Sequence, residues 1–385
     1  MSMKRDGKAA VAGLGWTPVG EYPGRSSSYF MAQAASKALA DAGLTKEDVD
    51  GLIVVPSLVQ PSIMPAATFI DAFGIRPQHF SSEPGLGGAS GCAAIRQAAS
   101  MIGAGQASVV LIVAGDAALS GRAAGSVYAG GAQFESPYGT LAPAMYALFA
   151  QRHMHEFGTT PEQLAEVSVT CRANASLNPD AQMRDPMTAE DVLSSPMIAE
   201  PLRRLNCCLI SDGGCAVVVT SLERAKELPR PPVLLLGSGE CHTHEKVWRA
   251  PDFVSSGAAE SGRQAFAEAG VTPSDIDVAE IYDCFSITPI VFLEDLGFCA
   301  KGEGGPFVEG GRIRLDGELP INTHGGLLSH GQAGMAGGLF HAVEAVVQLR
   351  GDAGPRQVSG AKLALAHGNG GIFGTECTVI FGRDG

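Results

Sequence analysis

One short pattern occurs twice in this chain, and it constrains the fold more than any other feature. Residues 40–50 read Ala-Asp-Ala-Gly-Leu-Thr-Lys-Glu-Asp-Val-Asp, and residues 267–277 read Ala-Glu-Ala-Gly-Val-Thr-Pro-Ser-Asp-Ile-Asp. The first copy ends a helical pattern at Gly43, a natural helix C-cap, and continues through Thr-Lys-Glu-Asp, which resembles a capping box. Solenoid repeats recur about every 20–50 residues, whereas these copies lie in opposite halves of the chain. The pattern therefore predicts a duplicated unit.

The order of apolar segments predicts an α/β fold. In the first half, predicted strands at residues 8–13, 51–55 and 108–115 alternate with predicted helices at residues 26–42 and 92–102. Strands that alternate with helices typically form a parallel sheet that is covered by helices. We therefore predict a parallel sheet in this half of the chain.

An insertion interrupts the first half. Residues 120–206 contain few strand signals and several helical ones, which indicates a cap or insertion. We predict a first half at residues 1–235, with the cap at about residues 118–206, and a second half at residues 236–385. The second half ends, as the first does, with an apolar helix, at residues 338–348, and a strand.

Composition excludes several classes of function. The net charge of -13 argues against binding to nucleic acids or to anionic membranes. The 9 cysteines form no Cys-x-x-Cys pair, which is typical of a reduced, cytoplasmic protein with buried thiols. The sequence shows no signal peptide and no apolar run of about 18 residues, so we expect neither secretion nor a membrane span.

The candidate functional residues begin with the segment 280–286, Glu-Ile-Tyr-Asp-Cys-Phe-Ser, between a predicted strand and a predicted helix. Open α/β sheets place their chemistry at the carboxyl ends of strands. Tyr282 is the favoured acid–base residue, because a tyrosine with a lowered pKa exchanges protons with an alkoxide or enolate oxygen. The alternative is an aromatic ring packed at a strand end. Asp283 is assigned to the same site.

Two glycine-rich turns are predicted to meet this segment. His324 precedes Gly-Gly, and His367 precedes Gly-Asn-Gly-Gly after a predicted strand, with Asn369 in the same turn. Either histidine can orient a carbonyl or act as an acid–base group, although a lone histidine is usually structural. His330 is a weaker candidate. Neither residues 369–371 nor the turn before the helix at residue 92 matches a phosphate-binding motif, so no nucleotide cofactor is predicted.

Several motifs resemble those of sterol-carrier-protein-type thiolases. They are Tyr-Asp-Cys-Phe-Ser at residues 282–286, Leu-Glu-Asp-Leu-Gly-Phe-Cys at 293–299, Gly-Glu-Gly at 302–304 and Asn-Thr-His-Gly-Gly-Leu at 322–327. The resemblance covers nearly the whole chain. It implies a thiolase-like, duplicated, five-layered α-β-α-β-α architecture, a coenzyme A thioester as substrate with no other cofactor, and a homodimer.

The departures from this family fall at mechanistic positions. Gly88, in Gly-Ala-Ser-Gly, stands where the resemblance implies a nucleophilic cysteine at the start of a helix. Gln332 stands in place of an activating histidine, and Tyr282 replaces the histidine of the family motif. The turn at residues 367–371 has no cysteine for the family's proton shuttle. Together these substitutions predict changed chemistry.

The resemblance includes relatives that lack the cysteine and act as aldolases with a small OB-fold/zinc-ribbon partner. We therefore expect retro-aldol cleavage of a β-hydroxyacyl-CoA, with Tyr282 as acid–base and His324 and His367 in an oxyanion hole. One alternative is an acyltransferase that uses a displaced nucleophile such as Cys92, although a buried cysteine in a helix is more often core. Another is a non-catalytic acyl-CoA-binding subunit. No metal site is predicted, and steroid, aromatic and aliphatic acyl chains all remain open.

Overall fold

A computed structural model describes residues 9–121 and 141–383 of the chain. The start of the first predicted strand and part of the predicted cap lie outside these residues. The helices are α1 Ser27–Ala42, α2 Pro65–Phe73, α3 Ser90–Gly103, α4 Ala142–Phe157, α5 Pro161–Ser176, α6 Ala189–Ser194, α7 Leu222–Ala225, α8 Ala258–Ala269, α9 Ile287–Asp295, α10 Gly304–Val308 and α11 Gly337–Arg350. The strands are β1 Ala9–Trp16, β2 Gly51–Val54, β3 Phe80–Ser82, β4 Val109–Ala117, β5 Met197–Ala199, β6 Leu202–Arg203, β7 Asp212–Ser221, β8 Val233–His242, β9 Val278–Ile281, β10 Leu363–Gly370 and β11 Thr375–Arg383. Within the described ranges, every helix is too short or too polar to cross a bilayer.

One large sheet joins the two halves of the chain. Its strand order is β3-β2-β4-β7-β1-β8-β11-β10-β9. The parallel prediction for the first half is correct for β2 with β4, and it is wrong for β1, which pairs antiparallel with β7 and β8. Strand β3 also pairs parallel with β2, and β9 with β10, whereas β4 with β7, β8 with β11 and β10 with β11 pair antiparallel. A short turn connects β10 to β11, and such a turn permits only antiparallel pairing. The boundary predicted between residues 235 and 236 falls inside β8, where β8 pairs with β1.

The repeated pattern has the same structure in both copies. Helices α1 and α8 end at Gly43 and Gly270, which have φ values of 68° and 67° that favour glycine. In each copy a single 3₁₀ turn follows, closed by a capping box between Thr45 and Asp48 or between Thr272 and Asp275, and then a buried parallel strand. The sequence prediction of a duplicated unit is confirmed.

Helices and strands alternate in five layers, as predicted, because the strands of the two halves lie on opposite sides of a central pair of helices and are joined where β8 pairs with β1. Helices α1 and α2 cover one face of the first-half strands, and α8 and α9 cover the outer face of the second half. Helices α3 and α11 form the central layer, where their core contacts strands of both halves. They approach closely because Gly91 faces the backbone of Leu339, where an added Cβ would lie only 2.6 Å away. The start of α3 is thereby fixed against the start of α11.

The described part of the insertion packs against the second half. The side chain of Asn174 on α5 donates to the carbonyl of Ile321 at 3.0 Å, and Asn178 donates to the carbonyl of His324 at 2.9 Å. Phe149 on α4 packs against Phe373, with ring centroids 4.5 Å apart. The insertion therefore holds the turn that carries His324.

Candidate active site

The candidate site lies at the carboxyl end of β9, as the sequence predicts. The strand ends at Ile281, and the backbone N–H of Tyr282 then donates to the carbonyl of His367 at 3.0 Å. Asp283 is fully buried and accepts the backbone N–H groups of Leu327 and Leu328, at 2.7 and 3.3 Å. Asp283 thus joins this segment to the π-helical turn Gly326–His330 and holds that turn in place.

Tyr282 and Gly88 occupy complementary volumes. A Cβ atom placed on Gly88 would lie 2.2 Å from the ring of Tyr282 and 2.4 Å from its hydroxyl oxygen. Carbon atoms in contact are normally about 3.5–4.0 Å apart. The ring of Tyr282 therefore fills the space that a cysteine side chain at position 88 would need, and the two predicted site residues are in direct contact.

Gln332 is the hydrogen-bond partner of Tyr282. Its side-chain amide donates to the Tyr282 hydroxyl oxygen at 2.8 Å, and its amide oxygen accepts from the thiol of Cys208. Tyr282 is 4% exposed, whereas Gln332 and Cys208 are both partly exposed. The structure thus joins Gly88, Tyr282 and Gln332, as predicted, and adds Cys208, which the sequence analysis had not connected to the site.

His324 is held by a buried carboxylate. Its Nδ1 lies 2.9 Å from Oε2 of Glu280, and the same carboxylate accepts the backbone N–H of Thr323 through Oε1 at 3.0 Å. The Nε2 atom of His324 is buried and has no hydrogen-bond partner among the described residues. Glu280 therefore accepts the proton on Nδ1 in a hydrogen bond, orients the ring, and leaves Nε2 as the atom that can meet a substrate.

His341 is a further ionisable residue of this site, and the sequence analysis missed it. Its Nε2 lies 3.4 Å from Oδ1 of Asp283 and its Nδ1 lies 3.8 Å from Oε2 of Glu280. Its ring centroid is 6.0 Å from that of Tyr282 and 5.0 Å from that of His324. Burial disfavours the charged ring, but the two carboxylates outweigh this and raise the pKa of His341 to about 9.

Glu280, His324 and His341 form a buried network of ionisable side chains. Burial alone would raise the pKa of Glu280, but His324 and His341 hold it below its usual range. Candidate ligand atoms of these three residues lie within 4.8 Å of one another, which is close enough for a shared cation. A cation there would have to displace both the Glu280–His324 hydrogen bond and the proton on His341. We therefore interpret the group as a proton-holding network.

His367 does not join this group. It lies within β10, and not in a turn as predicted, with its Nδ1 2.9 Å from the hydroxyl of Thr378 and its Nε2 3.1 Å from Glu376. Burial lowers the pKa of His367 to about 3 and raises that of Glu376, so burial opposes a charge on either side chain. The next residue, Gly368, faces Gly88. Because side chains alternate along a strand, His367 points to the opposite face.

Asn369 follows the same alternation. Its side chain donates to the hydroxyl of Tyr146 on α4 at 2.7 Å, which places it against the insertion and on the same face as His367. The predicted convergence of the two glycine-rich segments is therefore wrong for His367 and Asn369. It is correct for the glycines of β10, since Gly368 and Gly370 face the segment that ends in Gly88.

Cys92 and His330 are buried, and their surroundings indicate packing roles and not catalytic ones. Cys92 is fully buried on α3, its thiol faces the carbonyl of Ala366, and burial raises its pKa to about 12. His330 is buried beside His324, with ring centroids 4.9 Å apart, and burial lowers its pKa well below the usual range. The structure thus favours the core interpretation of Cys92, because a thiol with this pKa is not a nucleophile at neutral pH.

Comparison with known proteins agrees with this architecture. Residues 9–223 match the thiolase N-terminal domain, and residues 239–383 match the thiolase C-terminal domain-like family. An acetyl-CoA acetyltransferase of Methanothermobacter thermautotrophicus is 38% identical over 97% of this chain and 99% of its own length. A steroid side-chain-cleaving aldolase of Thermomonospora curvata is 39% identical over 86% of this chain and 89% of its own length. The solved structure of an Ltp2-ChsH2(DUF35) aldolase has a TM-score of 0.90 at 34% identity, over 99% of both chains.

Proposed function

The chain belongs to the thiolase superfamily, and we propose that this enzyme cleaves a β-hydroxyacyl-CoA by a retro-aldol reaction, without a covalent cysteine intermediate. The contact between Gly88 and Tyr282 carries the proposal. Position 88 has neither a thiol nor space for one, since the Tyr282 ring lies 2.2 Å from where a Cβ atom would stand. Retro-aldol cleavage requires an acid–base group and donors for an enolate, and it requires no nucleophile.

Each step of the reaction has a candidate group. Tyr282, acting as its phenolate, takes the proton of the substrate's β-hydroxyl as the Cα–Cβ bond breaks, and the bonding electrons move into the thioester as an enolate. The β-carbon leaves as an aldehyde or ketone. The proton held by Tyr282 then passes to Cα of the enolate, which gives a shortened acyl-CoA and returns Tyr282 to its phenolate. We assign the thioester oxygen to Nε2 of His324, which donates to it when both ring nitrogens carry a proton, while the Glu280 carboxylate accepts from Nδ1 and orients the ring. His367 has no part in this scheme, because it faces the other side of β10.

We extend the proposal to the assembly. A 34% identical structural neighbour is the Ltp2-ChsH2(DUF35) aldolase, and this favours a small OB-fold/zinc-ribbon partner for the present chain as well. We also propose that the chain forms a homodimer, that coenzyme A is the only carrier of the acyl group, and that the protein is cytoplasmic. The acyl group is proposed to be bulky, because a 39% identical relative is named a steroid side-chain-cleaving aldolase.

Substrate cleavage tests the function directly. The purified chain, alone and co-expressed with a DUF35 protein, is incubated with a steroidal and with a short aliphatic β-hydroxyacyl-CoA, and the carbonyl product and shortened acyl-CoA are measured by mass spectrometry. We expect both products in equal amounts, and their loss in Tyr282→Phe. The partly exposed Tyr29 provides a matched control, Tyr29→Phe, which keeps its activity. Turnover that survives Tyr282→Phe contradicts the assignment.

An acyltransferase is the second candidate, because a 38% identical relative is named acetyl-CoA acetyltransferase. That reaction would leave a covalent acyl group on a cysteine. Incubation with radiolabelled acetyl-CoA, followed by denaturation, therefore distinguishes the two: retained label supports the acyltransferase, whereas an unlabelled protein that releases a carbonyl product supports the lyase. Tight binding of coenzyme A with neither outcome would indicate a non-catalytic subunit.

A further inference from the structure

We propose that Cys208 is a positioning residue for Tyr282 and acts through the side chain of Gln332; this inference rests on the proposed function. The three side chains form one continuous chain of hydrogen bonds, in which the Cys208 thiol donates to the amide oxygen of Gln332 and the amide nitrogen donates to the Tyr282 hydroxyl at 2.8 Å. Gln332 is thus held at both ends.

The backbone fixes the two ends of this chain relative to each other. The N–H of Cys208 donates to the carbonyl of Cys284 at 2.9 Å, and Cys284 lies two residues after Tyr282. The N–H of Ser211 donates to the carbonyl of Gln332 at 3.0 Å, and the N–H of Gln332 donates to the Ser211 hydroxyl at 3.1 Å. The segment that carries Cys208 is therefore bonded to both segments that it has to align.

A glutamine amide has a donor end and an acceptor end, so its orientation determines what it offers to a neighbour. A thiol donor at the oxygen holds the nitrogen toward Tyr282. If the amide rotated by half a turn, its oxygen would face Tyr282 and would accept the phenol proton. An amide oxygen in that position would hold the proton on Tyr282 and would disfavour the phenolate that has to take the proton of the substrate's β-hydroxyl. The thiol of Cys208 selects the productive orientation.

The surroundings of Cys208 suit a donor more than a nucleophile. Burial, and then the neighbouring Cys284, Cys207 and Asp283, raise the pKa of the Cys208 thiol well above its usual range. The group therefore keeps its proton at neutral pH, as a hydrogen-bond donor must. A nucleophilic cysteine needs the opposite environment, one that favours the thiolate.

Substitution at two adjacent cysteines separates these roles. Cys208→Ala removes the donor, and we expect kcat to fall about 5–10-fold with KM within about twofold, the effect of one lost hydrogen bond. Cys208→Ser keeps a donor and is expected to rescue most of that loss. The matched control is Cys207→Ala, because the Cys207 thiol is also partly exposed but donates to the carbonyl of Arg203. Wild-type rates in Cys208→Ala overturn the inference, as does complete inactivity in Cys208→Ser, which would make the thiol a nucleophile.

A second measurement does not depend on turnover. The chain has only 6 tyrosines, so protein labelled with ¹³C at the tyrosine ζ carbon gives a simple NMR spectrum, in which Tyr282→Phe identifies the Tyr282 signal. We expect this signal to move in Cys208→Ala and to stay near its wild-type position in Cys208→Ser and Cys207→Ala. A signal that does not move in Cys208→Ala overturns the inference. If the signal behaves as expected but wild-type protein cleaves no substrate, the proposed function fails and the positioning role stands.

Discussion

The substitution Gly88→Ala tests the central contact of the site with the smallest possible change. It adds one methyl group, whose carbon would lie 2.2 Å from the Tyr282 ring in the unrelaxed structure. Carbon atoms in normal contact are about 3.5–4.0 Å apart. The ring or the turn before α3 therefore has to move by at least about 1 Å to relieve the overlap. Overpacking of a buried site costs about 1–3 kcal/mol, and we expect a value near the upper limit, about 3 kcal/mol.

Thermal unfolding gives the measurement. The entropy of unfolding scales with chain length, and for a chain of this size a loss of about 3 kcal/mol corresponds to a fall of about 4 °C in the apparent melting temperature. Gly103 provides the matched control, because it ends the same helix, is exposed and has nothing within 4 Å of an added Cβ. We expect Gly103→Ala to leave the melting temperature within about 1 °C or to raise it slightly, since alanine favours a helix.

A double mutant attributes the loss to Tyr282. The single change Tyr282→Ala creates a cavity and is itself costly, by about 3–5 kcal/mol. In the background of that change, however, Gly88→Ala meets an empty space, and we expect it to cost less than about 1 kcal/mol. The two substitutions should therefore be strongly non-additive. If their effects simply add, or if Gly88→Ala melts like Gly103→Ala, then the ring does not occupy the volume that a side chain at position 88 would need.

Three further results are expected. Tyr282→Phe keeps the ring and its packing, so its melting temperature should stay within about 2 °C of wild type while the rate of substrate cleavage falls about 10²–10⁴-fold, as is usual for a lost acid–base group. Cys92→Ala should keep the cleavage rate within about twofold, because this thiol is buried in the core and its raised pKa, about 12, keeps it protonated; a large loss would restore the covalent alternative. The pKa of His341 is raised from about 6.5 in the unfolded chain to about 9 in the folded protein, so its contribution to stability is complete below about pH 6.5 and is lost as the pH rises through about 9. Urea unfolding at pH 6 and pH 10 should show this decrease in wild type and a smaller one in His341→Gln; equal decreases would contradict it.

The features that sequence predicted well are those that local chemistry determines. The repeated helix end requires a glycine in a left-handed conformation and a threonine three residues before an aspartate, and both signals are visible at Gly43 and Gly270. The apolar run followed by polar residues likewise marked the end of β9 and the position of Tyr282. These signals need no knowledge of distant contacts.

The orientation of His367 could not be read from the sequence, because β10 is buried on both faces. Its first residues, Leu-Ala-Leu-Ala, are apolar at every position, so no alternation distinguishes the face toward α3 from the face toward α9. His341 was hidden for a similar reason. All of α11 except its final residue is buried, and a histidine within such a helix carries no local sign that two carboxylates surround it. The contact between Cys208 and Gln332 joins segments that are distant in the chain, so no local sequence pattern indicates it.

The sequence shows Gly88, Tyr282 and Gln332 as separate departures from the thiolase pattern, but the structure makes them dependent on one another. A ring at position 282 in this orientation requires glycine at position 88, since any Cβ atom there would overlap it. The hydroxyl of that ring is almost completely buried and needs a partner, which Gln332 supplies through its amide. A cysteine restored at position 88 would therefore meet the ring of Tyr282 and, at Gln332, an amide that cannot take its proton. Acyl transfer at position 88 would require all three positions to change together, and this interdependence is the physical reason to regard the site as organised for tyrosine chemistry.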